Sequence, residues 1–258
     1  MRLPLYQIDA FADAVFKGNP AGVVPLEAWL ADELMQAIAA ENNLSETAFF
    51  IRQGDEYGLR WFTPAVEVDL CGHATLATAF LIFTRLDPER GRVRFHTRSG
   101  VLEVLRVGER LEMDFPARPP KPCAVPAGLV EALGTKPQEV LESRDLLVAF
   151  QSQEKVAALA PDFGALKRLG RAVIATAPGS GCDFVSRFFA PNFGIDEDPV
   201  TGSAHSTLIP YWSQRLGKVD LFARQISQRV GTLYCSDRGD RVGIAGDAVL
   251  YLEGTIHV

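Results

Sequence analysis

Two short stretches carry the residues whose types and spacing could do chemistry. The first is Cys71-Gly72-His73, which opens the run Asp69 to Phe83, DLCGHATLATAFLIF. It offers a thiol, an imidazole and the unpartnered N–H groups of a helix start, where the dipole is positive. The second is Thr201-Gly202-Ser203-Ala204, which opens another mostly apolar run. Backbone donors at a helix start suit an anion, so the chemistry on offer is that of holding a small carboxylate or another anion. A thiol at such a start would also be favoured as thiolate, although a free cysteine is more often a small buried apolar residue. Nothing in the spacing suggests a metal or a cofactor. Cys71, Cys123, Cys182 and Cys235 form no CxxC pair, and His96, His205 and His257 show no ligand spacing. Gly18 to Gly22 is followed by no Gly-Lys-Ser/Thr and so is not a phosphate loop.

The elements around these stretches must position them. From Asp69 to Phe83 there is no charge after the first residue, so the helix predicted over 72–84 has no polar face and belongs in an interior. The second, over 202–216, reads alike apart from a distortion expected at Pro210. Strands are predicted over Leu5–Phe11, Ala48–Arg52, Gly58–Phe62, Val93–Thr97, Gly100–Val107 and Arg110–Phe115, with hairpin turns at Gly100 and at Gly108-Glu109. Leu30, Leu34 and Ile38 recur at helical spacing. Past the prolines, short helices over Ala127–Leu133 and Pro161–Leu169 and strands over Val140–Phe150, Ala172–Ala177, Asp183–Phe189 and Ala248–Val258 follow, with 65–70 and 190–200 as acidic loops.

The chain repeats itself. Arg60-Trp61-Phe62-Thr63-Pro64 and Arg187-Phe188-Phe189-Ala190-Pro191 share the pattern Arg, aromatic, Phe, small, Pro. Each is followed by an acidic loop, a Gly-containing turn and an apolar helix, which predicts two like-folded halves. Pro116, Pro119, Pro120, Pro122 and Pro126 mark the boundary between them. The expected division is 1–116 and 117–258, with the last strand free to return to the first half. Halves that face each other would bring both helix starts to one crevice, a common place for a ligand.

Composition excludes several classes. Hydrophobic residues make up 47% of the 258 and charged residues 22%, the balance of a globular protein. The net charge of −6 and the lack of a basic stretch argue against a nucleic-acid partner. No apolar run is long enough to span a bilayer, so no membrane association is expected. Met1-Arg2-Leu3-Pro4 leads directly into a strand-like run with no signal peptide, and the unpaired thiols suit a reducing compartment, so a cytoplasmic location is expected.

Five motifs in fixed order carry a family resemblance. They are Gly18-Asn19-Pro20-Ala21-Gly22, Ser45-Glu46-Thr47-Ala48-Phe49, Phe62-Thr63-Pro64, Cys71-Gly72-His73-Ala74-Thr75 and Glu197-Asp198-Pro199-Val200-Thr201-Gly202-Ser203-Ala204. Together they resemble the phenazine-biosynthesis PhzF-like family, which shares its fold with diaminopimelate epimerase. The resemblance implies an α+β fold of two similar halves, each a curved, mostly antiparallel sheet wrapped around a central buried helix. It implies a cofactor-independent isomerase that moves a proton on a small carboxylate-bearing substrate, commonly as a homodimer. Glu46 would be the acid/base, with Ser45, His73, Asp198 and Ser203 as helpers and Gly72 and Gly202 offering backbone donors. The epimerase uses a cysteine at the start of each central helix. Here Cys71 holds the first position and Thr201 the second, so a two-thiol racemase is not supported. A racemase or epimerase using Cys71 opposite a carboxylate, and a small-molecule binding protein without chemistry, stand as alternatives. Each residue also has a plainer role: Glu46 as a strand-end carboxylate, Asp198 as an acidic residue favoured by a helix start, His73 as a satisfied buried histidine, and Gly72, Gly202 and Ser203 as capping residues.

Overall fold

The computed structural model describes Met1 to Val258, divided into two compact units. The first comprises Met1–Asp114 with Ala245–Val258, and the second Phe115–Ile244.

The first unit runs β1 (Arg2–Ala10), β2 (Asn19–Leu26), α1 (Asp32–Asn42), β3 (Glu46–Gln53), β4 (Glu56–Phe62), β5 (Glu67–Val68), α2 (Gly72–Leu81), β6 (Arg92–Thr97), β7 (Gly100–Val107) and β8 (Arg110–Pro116). Its sheet has the order β1-β2-β3-β4-β6-β7-β8, parallel at β2–β3 and β4–β6 and otherwise antiparallel. Each parallel step is bridged by a helix, as such crossovers require: α1 between β2 and β3, and α2 between β4 and β6. The two helices take opposite roles. On α1, Met35, Ile38 and Ala39 are buried against Val24, Phe49 and Phe62, and its other face meets water. On α2, every residue from His73 to Ala79 is buried, as the missing polar face predicts. The α-helix stops at Leu81 and continues to Leu86 as a π-helical turn, two residues past the expected end.

The period-2 alternation of β3 decides where Glu46 points. Phe49 packs in the α1 cluster, so Thr47 shares that face, and Glu46, Ala48 and Phe50 take the opposite one, towards α2.

The second unit runs β9 (Lys121–Pro122), α3 (Leu129–Leu133), β10 (Glu139–Glu142), β11 (Leu146–Ala149), α4 (Gln153–Ala157), α5 (Phe163–Arg168), β12 (Val173–Pro178), β13 (Phe184–Ala190), β14 (Ile195–Asp198), α6 (Gly202–Leu216), β15 (Asp220–Gln225), β16 (Gly231–Asp237) and β17 (Arg241–Gly246). Its pairings repeat those of the first: β11–β12 parallel, β12–β13 antiparallel, β13–β15 parallel across α6. The short helices α3, α4 and α5 pack their apolar residues, Leu129, Leu133, Val156 and Leu166 among them, with Val173 and Phe189 of the sheet. The last strand, β18 (Ala248–His257), pairs antiparallel with β1 along its whole length, Arg2 opposite His257 and Ala10 opposite Ala248.

Both acidic loops differ from the expectation of irregular chain. Each contains a short strand, β5 or β14, held back against the strand before it. The cause is the Arg of the repeated motif. Arg60 grips Glu67 with Nε at 2.7 Å and a second nitrogen at 2.8 Å, and lies over the Phe62 ring. Arg187 grips Glu197 with both bonds at 2.7 Å and lies over Phe189. A bidentate guanidinium–carboxylate pair fixes geometry as well as charge. The proline segment also differs: Lys121-Pro122 pairs with β10 despite its composition. In α6, Pro210 lies within an unbroken helix. Proline leaves the carbonyl four residues earlier without its helical donor, and the freed Ser206 carbonyl accepts from the Arg118 amide at 2.8 Å.

Candidate active site

In the first unit the structure gathers Glu46, Cys71 and His73, with one polar atom of each within 4.8 Å of the others. Cys71 is the N-cap of α2 in extended conformation, and its carbonyl accepts from both the amide and the hydroxyl of Thr75. No side chain caps this helix, which leaves the donors of its first turn for other partners. His73, one residue into the helix, is buried with Nε2 3.1 Å from Glu46 Oε2. The contact is an off-axis ion pair: that buried carboxylate oxygen has no directed hydrogen bond. On the other side of the ring, Nδ1 lies 3.2 Å from the Asn19 side-chain amide and 3.5 Å from Cys71 Sγ.

The electrostatics of the trio follow from burial and charge. Burial first, and then the Glu46 carboxylate, push the Cys71 thiol up to about 11, against weaker pulls from His73. This reverses the direction that a helix start alone would give. Burial opposes charge on His73, but the Cys71 sulfur and the Glu46 carboxylate outweigh it and hold the imidazole well above its usual value. With the thiol protonated near neutral pH, the carboxylate is the partner that sustains the imidazolium.

The second unit builds a corresponding start for α6. Thr201 is the N-cap, in extended conformation like Cys71, with Gly202 next as Gly72 is in α2. The Thr201 hydroxyl donates to Asp198 Oδ2. Gln225, fully buried, clamps this corner: its Oε1 accepts from the Thr201 amide at 2.9 Å and its Nε2 donates to the Asp198 carbonyl at 2.7 Å. Ser203 is half-buried and accepts from Arg144, which also pairs with the buried Asp145. Ser45 sits half-buried immediately before β3.

Three of these participants were not singled out as site residues in the sequence. Asn19 lies within the Gly18–Gly22 motif, and that motif was its only signal. Gln225 and Arg144 carried none, because their contacts span 24 and 59 residues.

Fold and site together define the class: an α+β protein of the epimerase-like kind, two topologically similar units each built on a buried helix whose N-cap is Cys71 or Thr201. The chain belongs to the PhzC-PhzF family, phenazine biosynthesis-like proteins, whose pattern matches residues 8–254. An uncharacterized isomerase of Pseudomonas aeruginosa is 58% identical over 259 residues, covering 100% of both chains. A PhzF-family phenazine biosynthesis protein of Enterococcus faecalis superposes with a TM-score of 0.98 at 48% identity, again over 100% of both chains. The fold alone is shared with a protein of Pseudomonas aeruginosa described as a predicted epimerase, with a TM-score of 0.75, 21% identity and 100% coverage of both chains.

Proposed function

We propose that this protein is a cofactor-independent isomerase that moves a proton on a small carboxylate-bearing metabolite, with Glu46 as the acid/base. The observation that carries the reading is the buried Glu46–His73 pair at the open start of α2. Relatives described as isomerases support the class. Glu46 takes a proton from a carbon of the substrate, the electron pair moves into the adjoining unsaturated system, and the same proton returns to a different carbon. No net proton is gained or lost. Across 3.1 Å, His73 holds charge opposite Glu46 while the proton is in transit. The amide at Gly72 holds the substrate carboxylate and Ser45 orients its remaining polar groups, while Gly202, Asp198 and Ser203 offer the same kinds of group at the start of α6.

The racemase alternative requires Cys71 to act as a base. A buried thiol pushed up to about 11 is poorly placed for that role near neutral pH. The binding-protein alternative predicts ligand-dependent shifts in melting temperature with no product. The reading also makes the protein a cytoplasmic homodimer, which light scattering after gel filtration checks for its oligomeric half.

The deciding experiment follows positional isomerisation by NMR in deuterated water across a panel of small unsaturated and amino carboxylic acids, with the migrating proton retained. Wild-type protein should catalyse positional isomerisation of one class. Glu46→Gln should lose about 10²–10⁴-fold in rate, the usual contribution of a general acid/base. A Glu46→Gln protein that turns over normally removes the mechanism.

A further inference from the structure

The cluster at the head of α2 has a property that proton transfer does not use. Cys71 Sγ, a nitrogen of His73 and a Glu46 oxygen approach each other within 4.8 Å, and they are three different kinds of donor. Sγ lies 4.0 Å from His73 Nε2, and Nε2 lies 3.1 Å from Glu46 Oε2. Around a tetrahedral zinc ion, bonds of about 2.3 Å to sulfur and about 2.0–2.2 Å to nitrogen or oxygen put neighbouring donors roughly 3.3–3.6 Å apart. Two of the separations, 3.1 and 4.0 Å, fall either side of that range and the third stays within 4.8 Å, so side-chain rotation at the head of α2 would bring the donors onto one ion. The Glu46 oxygen facing the ring is buried without a directed hydrogen bond, so its acceptor capacity is not taken up by a hydrogen bond. Asn19 Nδ2 lies 3.2 Å from the opposite ring nitrogen; a metal-bound imidazole carries its proton there and needs an acceptor, so the Asn19 amide would turn its oxygen to the ring on binding.

We infer that Glu46, Cys71 and His73 form a binding site for a borderline-soft divalent cation, zinc above all, whose occupancy holds the isomerase off. The donor set selects against magnesium and calcium, which take oxygen ligands. Binding forms bonds from Sγ, the imidazole nitrogen and the carboxylate to the ion, and the thiol and the imidazolium each give up a proton to solvent. Three protein ligands leave a tetrahedral ion one open position. The site itself stands on geometry. Its inhibitory consequence rests on the proposed role of Glu46, because a carboxylate bound to a cation cannot take up a proton.

Cobalt(II) reports on this site directly, because a cobalt–thiolate bond gives a near-ultraviolet charge-transfer absorption. The reduced full-length protein should develop that band on titration, saturate at one equivalent and lose it to added zinc. Magnesium at the same concentrations should leave it unchanged. Cys71→Ser should show no band and bind at least 10-fold more weakly. The Cys123→Ser/Cys182→Ser double variant, which keeps both buried thiols and changes only partly buried positions at the edge of the second unit's core, should titrate like wild type. Zinc-edge X-ray absorption of the wild-type complex, independent of any variant, should show a single sulfur ligand with nitrogen and oxygen. No band in the wild type, a band that survives in a folded Cys71→Ser protein, or a band lost in the double variant would each overturn the site. Activity separates the two claims. Binding with full isomerase turnover leaves the metal site standing and removes Glu46 from the chemistry, whereas loss of turnover restored by a chelator supports both.

Discussion

His73 and His205 are both buried, and they respond to acid in opposite senses. His205 donates through Nδ1 to the Thr201 carbonyl, while its Nε2 is buried without a partner. Burial lowers it from 6.5 to about 4, against a weaker opposing pull from that carbonyl. A histidine lowered in the folded state contributes stability that is present above its unfolded value and lost as pH falls towards its folded one. The window is therefore pH 6.5 down to about 4, and 2.5 units correspond to roughly 3 kcal/mol. His73 is raised, so its contribution is fully present below 6.5 and fades as pH climbs through its higher folded value. Acid unfolding in that lower window is then carried by His205. His205→Phe, beside the Phe184 ring, should flatten the loss of stability between pH 6.5 and 4 in urea titrations. An unchanged slope would show that some other group carries the acid transition.

At the scale of elements, the repeated Arg motif does more than mark a sequence repeat. It converts an acidic stretch into a short strand that delivers the chain to a buried helix start. Arg187 and Glu197 expose only 13% and 19% of their side chains; without Glu197 the guanidinium keeps the Val156 and Leu159 carbonyls but loses its countercharge, and without Arg187 the carboxylate loses its bidentate partner. Removing one partner of such a pair costs more than replacing both, because the survivor remains desolvated and charged. Glu197→Gln should therefore lower stability by about 2–3 kcal/mol, with Arg187→Met/Glu197→Leu recovering at least half of that in denaturant unfolding. The single variant should also loosen the Asp198–Thr201–Gln225 corner, since β14 carries Asp198 into it. Faster hydrogen exchange at the Thr201 amide, which donates to Gln225, reads that out. If the double variant is no more stable than the single, the stranded-charge argument fails.

Over the whole molecule, what could be read in advance depended on how far each signal reaches along the chain. The all-apolar character of α2 and the repeated Arg–Phe–Pro motif are local patterns, and the buried helices and the twofold topology follow from them. The Arg–Glu clamps span 7 and 10 residues and were within sight, yet the acidic loops read as irregular because charge masked their pairing. The Glu46–His73 contact needs the register of β3 against the head of α2, and only the family motif pointed to it. The strand between Ala248 and His257 lies at the far limit: its partner β1 is at the other end of the chain. β18 supplies the outer neighbour of β1 along its full length, and the Met1 carbonyl accepts from the Val258 amide at 2.9 Å. Without it, β1 becomes an unprotected edge strand, and β1 is also part of the surface on which α2 packs. A chain ending at Asp247 should thus lose exchange protection first in β1 and then in α2, while the Leu129–Phe189 core of the second unit keeps its own. Because Glu46, Cys71 and His73 all stand on the weakened unit, cobalt binding should fall with the protection of α2. Retention of both after truncation would mean that β1 and β2 alone hold the helix, and that β18 covers the sheet without supporting the site.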